Sequence, residues 1–164
     1  MGQEIGVRRA GRQDVGAIAA LLKSAVPPQG QTAEADVLEW LFSKGLVVAA
    51  QAGDLAGVAA WQAENLVAVT DVLALAPHSL TPVGAALLDF VEAGAGSLMC
   101  EVNIVLLPSE AGPPVRDLLQ QQGYERQEFE SLHRIWREVL GDFEIEDQEL
   151  LVKRLRERMI MAPL

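Results

Sequence analysis

The sequence predicts a mixed α/β domain, a six- to seven-stranded sheet flanked by helices over residues 1–140, with a C-terminal helical extension over 141–164. Three observations carry this. Leu66 to Ala76 is nearly continuous apolar sequence, broken only by Thr70 and Asp71, as in a strand buried on both faces. Thr81-Pro82 then reads as a helix cap and first helical position, and Val83, Ala86, Leu87, Phe90 and Val91 follow the stripe of a helix lying on a sheet. Leu98 to Leu107 is a second apolar strand. Strand, helix and strand in succession require a crossover, which makes the two strands parallel neighbours.

In chain order, Glu4 to Arg9 is a short strand. A helix follows over about Gln13 to Ala25, with Val15, Ile18, Ala19 and Leu22 on one face and Asp14 in its first turn. Pro27-Pro28-Gln29-Gly30 is a loop. A second helix starts after a Thr32 cap and stops at Gly45, with Val37, Leu38 and Leu41 inward. Leu46 to Gln51 and Leu55 to Trp61 form a hairpin joined at Gly53-Asp54. After the central unit, whose loop spans Pro77 to Thr81 and whose helix runs to about Ala93, Gly112-Pro113-Pro114 opens a helix to about Gln122, closed by Gly123. Tyr124 to Trp136 alternates like a strand. Phe143 and Ile145 lead to a last helix, about Asp147 to Met161, striped by Leu151, Val152, Leu155 and Met159. That helix either packs on its own domain or forms a homodimer contact.

Half of the 164 residues are hydrophobic and 22% are charged, which favours a globular chain with one sizeable core. A net charge of −10 argues against nucleic acid as a partner, since that would need a basic footprint. No apolar run reaches the length of a membrane span, and the N-terminus lacks a basic-then-apolar leader. With a single cysteine, Cys100, in an apolar strand, the expectation is a cytoplasmic protein with a buried inert thiol and no membrane association. No metal site is read from the sequence. The charge distribution is uneven: from Gly45 to Val115 there is no lysine or arginine, while Asp54, Glu64, Asp71, Asp89, Glu92, Glu101 and Glu110 fall there.

The element order β-α-α-β-β-β-α-β-α-β-β resembles the GNAT family, the Gcn5-related N-acetyltransferases, over roughly Ile5 to Val139. Val7-Arg8-Arg9-Ala10 with Asp14 and Ile18 is similar to the family's opening strand and helix. Gly57 stands where its third strand has glycine, and Leu73-Ala74-Leu75-Ala76-Pro77 resembles its fourth strand with the terminal proline. Gly84-Ala85-Ala86-Leu87-Leu88 resembles the start of the acetyl-CoA helix, and Gly123-Tyr124 its Gly-Phe pair.

The resemblance implies transfer of an acetyl or other acyl group from acyl-CoA to an amine of a small molecule or protein. Asp71 takes the place of the acidic residue that serves as base, with Glu64 and Glu101 as secondary candidates. Val72, Leu73 and Leu75 would offer backbone hydrogen bonds to pantetheine. The phosphates would meet the backbone groups of Ser79, Leu80, Val83 and Gly84, with His78 the nearby cation. Several positions depart from the family pattern. In the loop whose signature is Arg or Gln, two residues, Gly, one residue, Gly or Ala, Gly84 matches, but Pro82 takes the first glycine's place and no basic residue is present. Leu119 stands where a tyrosine often acts as general acid, and Gly112 near the position of an asparagine. Acetyl-CoA or another acyl-CoA is therefore expected to bind weakly or not at all. The alternative is a catalytically inactive GNAT-fold binding or assembly module, its cleft filled by Leu80, Pro82 or Leu119. His133, set among apolar neighbours, is expected to be structural.

Overall fold

The strands β1 (Ile5–Arg9), β2 (Gly45–Gln51), β3 (Asp54–Glu64), β4 (Val67–Leu75), β5 (Val102–Pro108), β6 (Glu125–Gln127) and β7 (Gln148–Arg154) form one sheet in the order β1-β2-β3-β4-β5-β7-β6. The computed structural model describes residues 4–156. Every neighbouring pair is antiparallel except β4 and β5, which run parallel as the crossover requires. The crossover is α3 (Leu80–Ser97), which with α4 (Pro113–Gln121) covers one face of the sheet over Leu73, Leu75, Val105, Leu107 and Leu151. The other face carries α1 (Val15–Leu22) and α2 (Glu34–Ser43) over β2 to β4, and α5 (Arg134–Leu140) over β4, β5 and β7. Among the described residues no helix is long and apolar enough to cross a membrane.

Two expected elements are corrected. The segment 124–136 is not one strand: only Glu125–Gln127 pairs, and α5 follows a short turn. Leu132, Trp136, Val139 and Leu140 stand at helical spacing and are all buried, so the stripe beyond Leu132 is that of a helix packed on the sheet. His133 caps this helix, its Nδ1 accepting from the Ile135 N–H at 3.1 Å. The last expected helix is strand β7, inserted between β5 and β6. Leu150 and Val152 face α5 while Leu151 faces α3 and α4, so both faces are buried and the apolar run carries no helical period. The extension is thus part of the sheet as far as Arg154; Arg158 and Met159 lie outside the described residues.

A buried polar chain ties the centre together. Thr70 Oγ1 donates to Asn103 Oδ1 at 3.0 Å, Asn103 Nδ2 to the Tyr124 hydroxyl at 2.8 Å, and that hydroxyl to Glu92 Oε2 at 3.0 Å. Lys153 Nζ closes the chain on Glu92 Oε1 at 2.7 Å. Burial, with the Glu92 charge beside it, pushes the Tyr124 phenol far above its usual range, so it stays a protonated donor.

At the start of α1, Asp14 is buried and accepts from the Gly11 N–H at 2.7 Å and from both Arg8 Nη1 and Nη2, at 2.7 and 2.9 Å. The Arg8 hydrogen bonds hold its carboxyl below the usual carboxylate range, against the opposing effect of burial. A group depressed in the folded state stabilises it above the unfolded-state pKa and loses that effect as pH falls. Asp14→Asn should therefore lower the melting temperature at pH 7 by a few degrees, and the gap should close as pH drops below about 4. Calorimetric melting across pH 3–7 checks this.

Candidate functional site

The register of β4 with β5 runs from Val67↔Val102 to Thr70↔Val105 and stops there. Beyond it β5 pairs only with β7, out to Pro108↔Gln148, and the two parallel strands part. At that point β4 carries a bulge. Ala60 is opposite Val72 and Trp61 opposite Thr70, which leaves Asp71 as the extra residue. A bulge re-aims a side chain, and here it turns Asp71 into the gap between the parting strands. Thr70 on one side of the bulge and Leu73 on the other both face α3 and α4, so the parity of the strand changes at Asp71.

The gap is a cleft of about 390 Å³ lined by Asp71 and Leu73 of β4, Leu106 and Pro108 of β5, Glu110, Glu146, Asp147 and Gln148 beyond them, and Pro28 to Gly30. Four of these are carboxylates, and among the described residues no lysine or arginine lines it. The ends of parallel strands, where a crossover separates them, are the common place for a ligand in an open α/β sheet. Asp71 Oδ2 is ion-paired with Lys44 Nζ from the C-terminal end of α2. Asp71 Oδ1 and Gln148 Oε1 are buried acceptors with no hydrogen-bond partner.

Asp71 is the one expected catalytic carboxylate in this cleft. Glu64, at the end of β3, lines a separate hollow of about 210 Å³ with Val69, Val139 and Asp142. Glu101 is fully buried just before β5, its N–H donating to Leu66 at 2.7 Å and its carbonyl accepting from Leu155 at 2.8 Å. It stands at the opposite end of β5 from the cleft. Lys44 is the residue of the candidate site that sequence reasoning missed. Its only signal is position: it is the last cation before the cation-free span, as Arg116, which bonds Glu149 at 2.6 Å, is the first after it.

The expected phosphate loop is built differently. Pro77–Ser79 is a 3₁₀ turn and α3 begins at Leu80, so Thr81 and Pro82 are the second and third helical residues rather than cap and first position. Proline fits there because the first-turn N–H groups have no intrahelical partner. Ser79 is buried, its N–H donated to Ala76 and its hydroxyl to Gln51 Oε1 at 2.6 Å. Val83 and Gly84 are buried and their N–H groups close the first turns of α3. Only the Leu80 and Thr81 N–H groups lie outside the helix's own ladder, beside exposed His78. Of the strand positions, Leu75 is already engaged: Val26 N–H donates to its carbonyl at 2.8 Å and its N–H to the Val26 carbonyl at 2.9 Å. Leu119 is fully buried in the core, and neither it, Leu80 nor Pro82 lines the cleft.

Gly84 has a packing role. A Cβ there would come 2.3 Å from Leu118 Cδ2 of α4, and Leu118 is itself buried. Gly84→Ala should cost about 1–3 kcal/mol in urea unfolding, the scale of overpacking a core, and Leu118→Ala in the same chain should recover part of it. An anion-binding role alone would leave stability unchanged.

No family model and no curated protein matches this sequence. Solved structures do match its fold. N-acetylglutamate synthase from Neisseria gonorrhoeae, complexed with coenzyme A and N-acetyl-glutamate, is similar at a TM-score of 0.69 and 16% identity over 96% of this chain. The chain spans 36% of that protein's length. The ribosomal-protein-S18-alanine N-acetyltransferase from Escherichia coli is similar at a TM-score of 0.70 and 11% identity, over 98% of this chain and 100% of that one. An acetyltransferase of the GNAT family from Staphylococcus aureus Mu50 gives 0.73 and 10%, over 93% of this chain and 100% of that one.

Proposed function

Because the chain has the GNAT fold, we propose that its cleft transfers an acyl group from an acyl-CoA thioester to an amine, with Asp71 as the base. One observation carries this reading: the bulge turns the Asp71 carboxylate, alone among the candidate bases, into an open cleft where β4 and β5 part. An incoming ammonium would meet the cleft-lining Asp71 and Gln148, whose Oδ1 and Oε1 are buried without a hydrogen-bond partner. Asp71 would orient the amine and take its proton, while Lys44 fixes the carboxylate through Oδ2. The lining of Asp71, Glu110, Glu146 and Asp147 favours a cationic acceptor, drawn in by their field.

The fit to acyl-CoA, which would supply the thioester-activated acyl group, is divided. At the reacting end the β4 edge from Asp71 to Leu73 is unpaired by β5 and borders the cleft. At the phosphate end two backbone N–H groups and His78 stand in a span without lysine or arginine. Each missing charge-assisted bond weakens binding by about 1.5–3 kcal/mol. A second reading, a binding module without catalysis, is favoured by one contact: the Leu75 edge is occupied by the chain itself. The open cleft weighs against it, since none of the residues expected to fill the space does so.

Acetyl transfer to a panel of diamines, polyamines and neutral-backbone amines tests the proposal. Turnover on the cationic acceptors should fall as salt rises. Asp71→Asn should reduce it by about a hundredfold or more with circular dichroism matching the natural chain. Acetyl-CoA should bind only weakly by calorimetry. Transfer that survives in Asp71→Asn removes that residue from the mechanism, and absence of transfer to every amine leaves the binding module as the function.

A further inference from the structure

We infer that the segment from Val26 to Thr32 is a strap that occupies the β4 edge in place of the cofactor and must release Leu75 before an acyl-carrying arm can lie along the strand. This rests on the acyl-transfer reading above.

Three features of the segment support a movable strap. Its hydrogen bonds to the sheet are the reciprocal pair between Val26 and Leu75, the pattern of one strand laid on another's edge. Its other bonds are internal: Gln29 Nε2 donates to the Pro27 carbonyl at 2.7 Å, and Thr32 Oγ1 to the Gln29 carbonyl at 3.0 Å. These preserve its shape; apart from the reciprocal pair, what holds it to the body is the packing of Val26 against the core and the burial of Pro27. Val26 to Thr32 also carries no charged residue, so no ion pair holds it.

The strap also has space on both sides. Pro28, Gln29 and Gly30 border the Asp71 cleft, while Gly30, Gln31 and Thr32 border a second hollow of about 420 Å³ whose far wall is Leu22 and Lys23 at the end of α1. A displacement toward α1 would fill the second hollow and widen the first. An arm containing successive amide groups pairs with a sheet edge as an added strand does, through one N–H and one carbonyl of alternate residues. On the edge of β4 that parts from β5, Leu75 is such a residue, and Val26 holds both its groups. Strap and arm therefore exclude each other at Leu75. The closed strap lowers apparent affinity by the fraction of molecules that are open.

Val26→Pro deletes the N–H that Val26 donates to Leu75, and CoA titration by calorimetry reads the consequence. With circular dichroism matching the natural chain, CoA should bind about five- to tenfold more tightly, the effect of losing roughly one net hydrogen bond from the competing state. Equal or weaker binding by the variant overturns the strap and leaves the acyl-transfer reading standing. If neither protein binds millimolar CoA, both fail together. Should Val26→Pro not fold, amide hydrogen exchange on the natural chain decides. Saturating CoA should speed exchange at Val26 while slowing it at Leu75. Exchange at Val26 that is unchanged or slower with CoA bound overturns the strap.

Discussion

The parallel pairing of β4 with β5, and the point at which it stops, is the constraint on which this structure depends. Four paired positions, from Val67↔Val102 to Thr70↔Val105, hold the strands together, and the chain Thr70–Asn103–Tyr124–Glu92–Lys153 locks the last of them. Each buried polar group in it has a partner, which matters because an orphan there would cost about as much as several apolar contacts supply. The chain joins β4, β5, α3, β7 and the turn after α4. The strands are thus fixed on one side of the junction and free to diverge on the other. The β4 bulge sits at that boundary, and beyond it β5 keeps only its pairing with β7 on its other edge. The cleft is the space that opens where β4 and β5 part.

Charge then decides what such a space can hold. The cation-free middle of the chain folds so that Asp71 borders Glu110 and the carboxylates of Glu146 and Asp147, brought in from just before β7. Lys44 is the counter-charge at the edge, and it engages one oxygen of Asp71 while the other is buried without a hydrogen-bond partner. The arrangement suits a cation and opposes a polyanion at the same end of the sheet. On the acyl-transfer proposal, acceptor and cofactor would meet within a few residues of one strand, with Leu73 at the cleft and Leu75 bonded to Val26.

The start of α3 is built for packing. Glycine opposite Leu118, valine against Gly57 and a serine directed to Gln51 give close contacts between α3, α4 and the sheet. Those contacts consume groups that would otherwise point outward. Proline adds rigidity and removes a donor. The segment is well suited to holding the crossover helix in place, and it leaves only the Leu80 and Thr81 N–H groups outside the helix's own ladder.

Local pattern was enough to determine the crossover unit, the hairpin of β2 and β3, the cap at Gly123 (φ +94°) and the buried character of Cys100, since each depends on apolar runs and turn residues within a dozen positions. Asp71 was legible as the single carboxylate interrupting an apolar strand. The sequence did not reveal that 148–154 is a strand, because consecutive apolar residues buried on two faces carry no period that separates strand from helix. Nor did it show α5, whose stripe overlaps an apparent alternation. The partner of Asp71 is 27 residues away, the carboxylates that share its cleft are up to 76 away, and Val26 meets Leu75 across 49. Such pairings depend on where β4 and β5 part. Only the tertiary structure sets that, through long-range contacts that no local spacing encodes.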